Sequence, residues 1–211
     1  MFQNQERVNS YLEETSDEEN ALLKRIYRET YLRETMPHMI SGHYQCRVLS
    51  MISKLVKPRR ILEIGTFTGY ATLCLAEGLS ADGELHTIDI NEEQQDRVQG
   101  YFDESPYSGQ IHYHIGDAFE IIPTINEQFD LAFIDADKKR NLVYYDMLID
   151  KMPKGAVLLI DNVLWKGKVF DQTPDNQTKQ VLELNNTLAK DSRIEKLILP
   201  IRDGLFVMRK K

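Results

Sequence analysis

Cysteine, long apolar runs and excess positive charge are all scarce in this sequence of 211 residues. Its two cysteines, Cys46 and Cys74, lie far apart with no CxxC or metal-like spacing, so we predict buried thiols in a reducing compartment. No apolar run approaches the ~20 residues that span a bilayer, and the start MFQNQERVNS is too polar for a signal peptide. The net charge of −7 argues against a surface that tracks phosphates. We therefore expect a cytoplasmic protein with no membrane partner.

What the sequence does contain is an alternation of strand and helix patterns suited to one α/β domain over residues 1–211. Two helices are predicted in residues 1–35, the second opened by a capping box at Ser16 and Glu19, and this N-terminal helical segment extends to residue 57. The core that follows, 58–211, carries the strand candidates Ile61–Ile64, Glu84–Asp89, Gln110–Ile115, Phe129–Ile134, Ala156–Ile160, Arg193–Leu199 and Leu205–Arg209. The alternation predicts a Rossmann-like, mostly parallel sheet with helices on both faces. A short turn joins the final two runs and predicts an antiparallel last strand.

The stretch ILEIGTFTGYATLCLAEGL joins the first strand to a helix through a glycine-rich turn. Gly65 and Gly69 allow a close backbone approach to a ligand, although Gly-x-x-x-Gly differs from the Gly-x-Gly-x-x-Gly of dinucleotide sites. Asp89 ends the second strand, where an acidic side chain either reaches ribose hydroxyls or caps the next helix. A tight turn followed by a helix cap is the alternative, and the two features together favour the ribose contact.

A further strand-to-helix connection, Gly116-Asp117-Ala118, follows the strand IHYHI. Ala118 is small enough to admit a flat ring, and the carboxylate of Asp117 can accept a hydrogen bond from an exocyclic amine. This connection falls at the same sheet edge as Asp89 and the glycine turn. The pattern predicts an adenosine-containing cofactor with no obligatory pyrophosphate site.

Two apolar strands each end on an aspartate, Asp135 in FDLAFIDADK and Asp161 in AVLLIDN. Neighbouring strand ends lie ~5 Å apart, and two bare carboxylates so close repel until one takes up a proton or a cation. Asn162 adds a neutral oxygen, and an all-oxygen set suits Mg²⁺, Ca²⁺ or Mn²⁺. The alternative is that both aspartates cap helices or turns. The third oxygen ligand favours a cation site.

Histidine and tryptophan supply two further motifs. His112 and His114 alternate in a strand and share one face. A His-x-His pair can bind metal, but the sequence shows no third ligand nearby, so we predict a partly buried sheet face. Trp165 follows Asp161 by four residues and either walls an aromatic substrate or packs against the core.

The order and spacing of five motifs resemble those of the cation-dependent O-methyltransferases typified by caffeoyl-CoA O-methyltransferase. The motifs are LEIGTFTGY, TIDIN, FIDADK, LLIDNVLWKGKV and LPIRDGLFVMRK. The resemblance covers about residues 36–209, nearly the whole chain. It implies a class I S-adenosylmethionine-dependent fold, a seven-stranded sheet whose last strand is reversed, and a homodimer.

The family's site residues fall on particular positions of this chain. Asp135, Asp161 and Asn162 match its metal ligands. The positions predicted on the cofactor side are Ser41, Glu63, Gly65, Thr66, Ala71, Asp89, Asp117, Ala118 and Asp137. Ala71 and Lys166 stand where plant members carry Ser and Asn, so the resemblance does not extend to caffeoyl-CoA as the acceptor.

Together with these residues, the resemblance implies methyl transfer from S-adenosylmethionine to a catechol-like small molecule with two vicinal hydroxyls, aided by a divalent cation, most simply Mg²⁺. A phenol with a pKa near ~10 is mostly protonated in the cell, and chelation by a cation is expected to lower that pKa and fix the geometry. Lys138, beside Asp135, is the catalytic candidate for receiving or stabilising the phenolic proton; the alternative is a surface lysine paired with Asp135 or Asp137.

Two other functions stay open. Methylation of a hydroxylated tRNA uridine would use the same chemistry, although the acidic net charge counts against it. An NAD-dependent oxidoreductase would share the sheet and Asp89, although the glycine spacing disfavours it.

Overall fold

The computed structural model of this protein describes residues 5–211, and the first four residues of the predicted N-terminal helical segment lie outside that range. The strands are β1 (Arg60–Ile64), β2 (Glu84–Asp89), β3 (Ile111–Ile115), β4 (Leu131–Ile134), β5 (Val157–Asp161), β6 (Ile194–Leu199) and β7 (Leu205–Lys210). The α-helices are α1 (Gln5–Thr15), α2 (Ala21–Arg33), α3 (His43–Val56), α4 (Tyr70–Ala76), α5 (Gln95–Glu104), α6 (Ala118–Ile121), α7 (Asn141–Ile149) and α8 (Asn176–Lys190). None of these helices combines the length and the apolar character needed to cross a bilayer.

All seven predicted strands form, and they join into one sheet in the order β3-β2-β1-β4-β5-β7-β6. Strands β1 to β5 are parallel, and β1 pairs with β2 on one side and with β4 on the other. Because the strand order reverses between β1 and β4, the loops after these strands diverge and leave a crevice at their carboxyl ends. The predicted Rossmann-like sheet is confirmed.

Side chains of each strand alternate between the two faces of the sheet, and both faces are covered. One face packs against α3, α4 and α5 and includes Ile61 and Phe133. The other packs against α7 and α8 and includes Leu62 and Ile134. Burial on both faces explains why these strands appear in the sequence as continuous apolar runs.

The last strand is reversed, as predicted, and it lies between β5 and β6. β7 pairs with both neighbours in antiparallel register. The turn before it requires glycine, because Gly204 has a φ of +86° and a Cβ there would lie 2.5 Å from a side-chain atom of Leu164. The same turn holds the loop after β5, since the Leu164 amide donates to the Asp203 carbonyl at 2.8 Å. β7 therefore steadies the loop that carries one side of the crevice.

The second helix begins at Ala21, and the predicted capping box at Ser16 and Glu19 is wrong. Asn20 is the cap, and its side chain accepts a hydrogen bond from the Leu23 amide at 2.9 Å. Ser16 instead donates its hydroxyl to the Leu12 carbonyl at 2.6 Å. Asparagine caps as well as serine does, and this one directly precedes the apolar periodicity.

Candidate active site

A cavity of about 1020 Å³ opens at the carboxyl ends of β1, β2, β4 and β5. This exceeds the ~300–1000 Å³ of ordinary small-molecule sites, so the cavity has room for a cofactor and a second molecule. The predicted site residues that line it are Gly65, Asp89, Asp117, Ala118, Asp135, Asp137, Lys138, Asp161 and Asn162. Within the described part of the chain, four other predicted residues are not among the lining residues: Ser41, Glu63, Thr66 and Ala71.

The glycine turn after β1 presses directly on the end of β4. Gly65 has a φ of +105°, and a Cβ there would lie 2.2 Å from the backbone carbonyl oxygen of Asp135. Backbone atoms cannot move aside as a side chain can, so only glycine fits. Gly69, with a φ of +77°, precedes the first residue of α4. The two glycines thus shape the turn that leads into α4, and Gly65 lines the cavity.

Asp89 is fixed at the end of β2 by two backbone groups. Its Oδ2 accepts from the Phe67 amide at 2.7 Å, and its Oδ1 accepts from the Asn91 amide at 3.0 Å. The capping alternative falls on Asn91, whose side chain accepts from the Glu93 amide and caps the 3-10 turn Glu92–Gln94. Asp89 therefore couples the glycine turn to the loop after β2, with its carboxylate in the cavity wall.

Asp117 caps α6 and pairs with an arginine that the sequence analysis did not single out. Its Oδ1 accepts from the Phe119 amide at 3.0 Å, and its Oδ2 accepts from the Arg140 guanidinium at 2.8 Å. The hydrogen bond from Arg140, then that from Phe119, lowers the pKa of Asp117, so its carboxylate is ionised at neutral pH. Ala118 follows it and is buried, which leaves a narrow slot between the two loops.

Glu63 and Thr66 lie beneath the glycine turn. Glu63 is fully buried, and its Oε2 accepts hydrogen bonds from the hydroxyls of Thr72 and Thr87, the latter at 2.6 Å. Burial raises the pKa of Glu63 to about 8, although both hydroxyls oppose the shift. The hydroxyls of Thr66 and Thr87 are 2.5 Å apart. These residues support the turn from below, and their predicted contact with a cofactor stays a prediction.

Asp135 and Asp161 follow directly paired residues of β4 and β5, Ile134 and Ile160. Asp161 is only 4% exposed, and its Oδ2 accepts from the side-chain amide of Gln45 at 2.7 Å. Desolvation, and then the charge of Asp135, raises the pKa of Asp161 to about 7. The charge of Asp135 is thus close enough to disfavour the ionisation of Asp161, as expected of neighbouring strand ends.

Asn162 and Lys138 complete this end of the cavity. Asn162 has a φ of +62°, a left-handed conformation that asparagine tolerates better than most residues, and its amide donates to Asp161 Oδ1 at 2.7 Å. Lys138 donates from Nζ to Asp135 Oδ1 at 2.8 Å. The pairing of lysine with Asp135, foreseen as the alternative to a catalytic lysine, is therefore present. It also places the ammonium group in the cavity wall.

The far wall of the cavity is apolar and cationic. Met36 and Met39 line it although about half of each side chain is exposed. Trp165 and Lys166, with φ of +50° and +53°, lie in the loop after β5 and also line it. Strained non-glycine backbone of this kind clusters at ligand sites. Arg202 lies in the same wall and donates to the Ile40 carbonyl at 2.5 Å.

Three comparisons identify the family. The sequence profile described as O-methyltransferase matches residues 13–211. The chain belongs to the O-methyltransferase family. It is 33% identical to caffeoyl-CoA O-methyltransferase 1 of Nicotiana tabacum, over 87% of this chain and 82% of that one.

Two solved structures extend the likeness. TomG, an O-methyltransferase from Streptomyces achromogenes involved in tomaymycin synthesis, is 26% identical with a TM-score of 0.90 over the full length of both chains, and its structure contains S-adenosylmethionine. An O-methyltransferase from Bacillus cereus in complex with S-adenosylhomocysteine is 25% identical, with a TM-score of 0.88 over 97% of each chain. The protein is an S-adenosylmethionine-dependent O-methyltransferase, as the sequence motifs predicted. The tRNA-modifying and NAD-dependent alternatives find no support in these comparisons.

Proposed function

We propose that this O-methyltransferase methylates a small aromatic acceptor with two vicinal hydroxyls, and that it requires a divalent cation. The observation that carries the proposal is the burial of Asp161 beside Asp135 at the cavity's floor. A pair of carboxylates in this position needs a proton or a cation to offset its repulsion. The apolar and cationic far wall, with Met36, Met39 and Trp165, suits a flat aromatic acceptor.

The residues present fit a hard divalent cation. Asp135, Asp161 and Asn162 offer only oxygen donors from the side chains that line the cavity, which favours Mg²⁺ over ions that prefer imidazole or thiolate. When bound, the cation would act as a Lewis acid that lowers the pKa of the acceptor's hydroxyls. Gln45 orients Asp161 through the 2.7 Å hydrogen bond. Side chains that hydrogen-bond to metal ligands commonly have this role.

The loops after β1, β2 and β3 support the position that we propose for the cofactor. They line the side of the cavity away from Asp161. We assign Asp89 to the ribose, Ala118 and Asp117 to the adenine, and the turn at Gly65 to the methionine portion. These loops meet at the switch point of the sheet, where such folds bind nucleotides. S-adenosylmethionine would supply the methyl group, and these loops are the residues that would hold it beside the carboxylate pair.

Lys138 is the group that we assign to the oxyanion formed when the acceptor's hydroxyl ionises, because an ammonium group has no lone pair with which to take the proton. Its ammonium lies 2.8 Å from Asp135 and is largely shielded from water, with 18% of the side chain exposed. Beside an ionising hydroxyl, this ammonium stabilises the oxyanion that attacks the methyl group. Much of the remaining acceleration comes from orientation of the two reactants in the cavity.

An acceptor screen with labelled S-adenosylmethionine tests the proposal. Catechols, hydroxycinnamates and bulk tRNA are each assayed after EDTA treatment, with and without added Mg²⁺. We expect label transfer to the vicinal diols alone, only with the cation present, and none to their mono-hydroxy analogues. Full turnover of a catechol by the EDTA-treated enzyme would rule out the requirement for a cation. Label transfer to tRNA alone would rule out a small aromatic diol as the acceptor.

We further propose a homodimer, which the sequence resemblance implied. Apolar side chains stay exposed on the first two helices, including Tyr11 at 66% and Leu32 at 71%. Light scattering of the purified protein should give twice the chain mass of 24.6 kDa. A mass of one chain at micromolar concentration would contradict this proposal.

A further inference from the structure

A second group of metal-binding side chains lies at the amino-terminal ends of β2 and β3, far from the cavity at their carboxyl ends. Glu84, His86 and His112 each offer a ligand atom, and these three atoms lie within 4.8 Å of one another. His86 and His112 face each other across the two strands in direct register. The sequence analysis found no third ligand for His112 because it considered one strand alone. The neighbouring strand supplies two.

The distances approach those of a single coordination sphere. His112 Nε2 lies 3.4 Å from Glu84 Oε2, and His86 Nε2 lies 3.9 Å from the same oxygen. Zinc binds nitrogen and oxygen at about 2.0–2.2 Å, so two ligands on one tetrahedral ion lie roughly 3.4 Å apart. The His86 and His112 rings are stacked with centroids 4.7 Å apart and an angle of 22° between their planes, so the His86 ring must rotate for both nitrogens to bind one ion. The Arg60 guanidinium, 3.9 Å from Glu84 Oε1, leaves Oε2 turned toward the histidines.

His86 has a ring nitrogen that is available to bind an ion. Its Nε2 is buried and has no hydrogen-bond partner among the residues that the structure describes. Its other nitrogen, Nδ1, lies 3.0 Å from His114 Nε2. If Nδ1 carries the proton and donates it to His114, the lone pair of Nε2 points at the triad. A second imidazole in this position is the outer partner that fixes the tautomer of a metal-bound histidine.

Solvent can reach the triad. The side chains of Glu84 and His112 are 39% and 43% exposed, so an ion can enter and keep a water as its fourth ligand. The two histidines are borderline ligands, which favour Zn²⁺ over the Mg²⁺ that suits the oxygen donors of the cavity. β3 is the edge strand of the sheet, so an ion held here would join it to β2.

We propose that Glu84, His86 and His112 form a zinc site, separate from the cavity, that fastens the edge strand β3 to the sheet. The proposal does not depend on the acceptor or on the cation requirement of methyl transfer. Its readouts are zinc stoichiometry and stability, and neither involves turnover.

Calorimetric titration with Zn²⁺, in millimolar Mg²⁺, tests the site. Wild type and the control His43→Gln, which alters a histidine on α3, should bind one more zinc equivalent than His112→Gln. Asp161→Asn reports separately on any zinc taken up by the oxygen donors of the cavity. His112→Gln must show a wild-type far-ultraviolet spectrum without metal; if it does not, Glu84→Gln takes its place.

Two further results sharpen the outcome. His114→Phe keeps an aromatic ring but removes the partner of His86, so zinc affinity should fall about 10- to 100-fold while the stoichiometry is unchanged. Zinc at about 100 times its dissociation constant should raise the Tm of wild type by roughly 5–10 °C, and that of His112→Gln by much less. Equal zinc stoichiometry in His112→Gln and His43→Gln, or loss of all tight zinc in Asp161→Asn, would overturn the proposal.

Discussion

Two buried carboxylates of this enzyme have opposite surroundings. Glu77, at the end of α4, accepts hydrogen bonds from Arg47 at 2.8 Å, Lys54 at 2.7 Å and Ser50 at 2.6 Å. Asp161, at the end of β5, accepts a hydrogen bond from Gln45 at 2.7 Å and lies close enough to Asp135 for that carboxylate to oppose its ionisation. Burial favours the neutral form of both, but the hydrogen bonds outweigh it at Glu77 and lower its pKa to about 2, whereas the pKa of Asp161 rises to about 7.

The difference indicates that the group around Glu77 serves stability and the group around Asp161 serves function. The group around Glu77 is complete, because every charge that it buries has a partner of opposite sign, and its purpose is to join α3 to α4. Around Asp161 two carboxylates share one ammonium group, that of Lys138, and the cation that we propose would offset the remaining negative charge. Substitution of each carboxylate by its amide should therefore affect opposite properties of the protein.

The largest effect is expected from Asp161→Asn. If the side chain contributes about 4 kcal/mol of transition-state stabilisation through the cation, kcat/KM should fall by roughly 10³-fold. In metal-free buffer at pH 8 the free energy of unfolding should not decrease, because the variant removes a charge that Asp135 repels. Paired steady-state assays and urea denaturation measure the two quantities. Retention of both turnover and Mg²⁺ binding would show that the ligand assignment is wrong.

Lys138→Met should come next, with a kcat about 10²-fold below wild type. The residual rate should climb with pH toward the ~10 at which a free phenol ionises, because the acceptor must then lose its proton unaided. Lys139→Met is the matched control, since this neighbouring lysine is exposed and is not among the cavity-lining residues of the described chain. Identical pH–rate profiles for the two variants would remove Lys138 from the mechanism.

Glu77→Gln should reduce stability and spare the chemical step. Loss of a carboxylate that is 13% exposed and paired with Arg47 should lower the free energy of unfolding by about 2–3 kcal/mol at pH 7. The folded-state pKa lies below the unfolded value of 4.5, so this contribution is present above about pH 4.5 and is lost as the pH falls toward 2. Urea denaturation at pH 7 and pH 3 checks both. The exposed Glu18→Gln, which removes the pair with Lys24, should change neither stability nor activity.

The last prediction concerns pH dependence rather than activity, and it is made for Glu63. Its folded-state pKa of about 8 exceeds the unfolded value of 4.5, so the folded state binds the extra proton and stability falls as the pH rises between these values. Glu63→Gln does not show this loss of stability. Its free energy of unfolding, measured relative to wild type, should therefore increase from pH 5 to pH 8. Thermal melts in EDTA across this range measure it. A difference in stability that stays constant with pH would mean that Glu63 is ionised throughout.

The strands of the sheet could be predicted from the sequence because buried strands are rich in apolar residues. Apolar runs indicated the buried central strands, and the turn before Leu205 indicated the reversed last strand. Sequence reasoning failed at Ser16 because several good capping residues lie within one turn of each other, and only packing selects among them. The cap at Asn20 follows from where the apolar face of α2 meets the core.

The site was predicted in part for a similar reason. Residues at strand ends, such as Asp135 and Asp161, gather at one edge by topology alone, and the sequence carries that information. Contacts between distant segments leave no such trace: Gln45 meets Asp161 from α3, and Arg140 meets Asp117 across the crevice. The register of His86 with His112 was equally hidden, because it depends on how two strands align.

Gly65 leaves no space between the first loop and the backbone of Asp135. The reacting partners on either side of that contact are therefore kept in one alignment, whichever acceptor enters. New acceptor specificities are therefore expected to arise at the rim, at exposed residues such as Met36, rather than at this contact. Enzymes with this fold can therefore change the acceptor that they methylate while the methyl-transfer reaction stays the same.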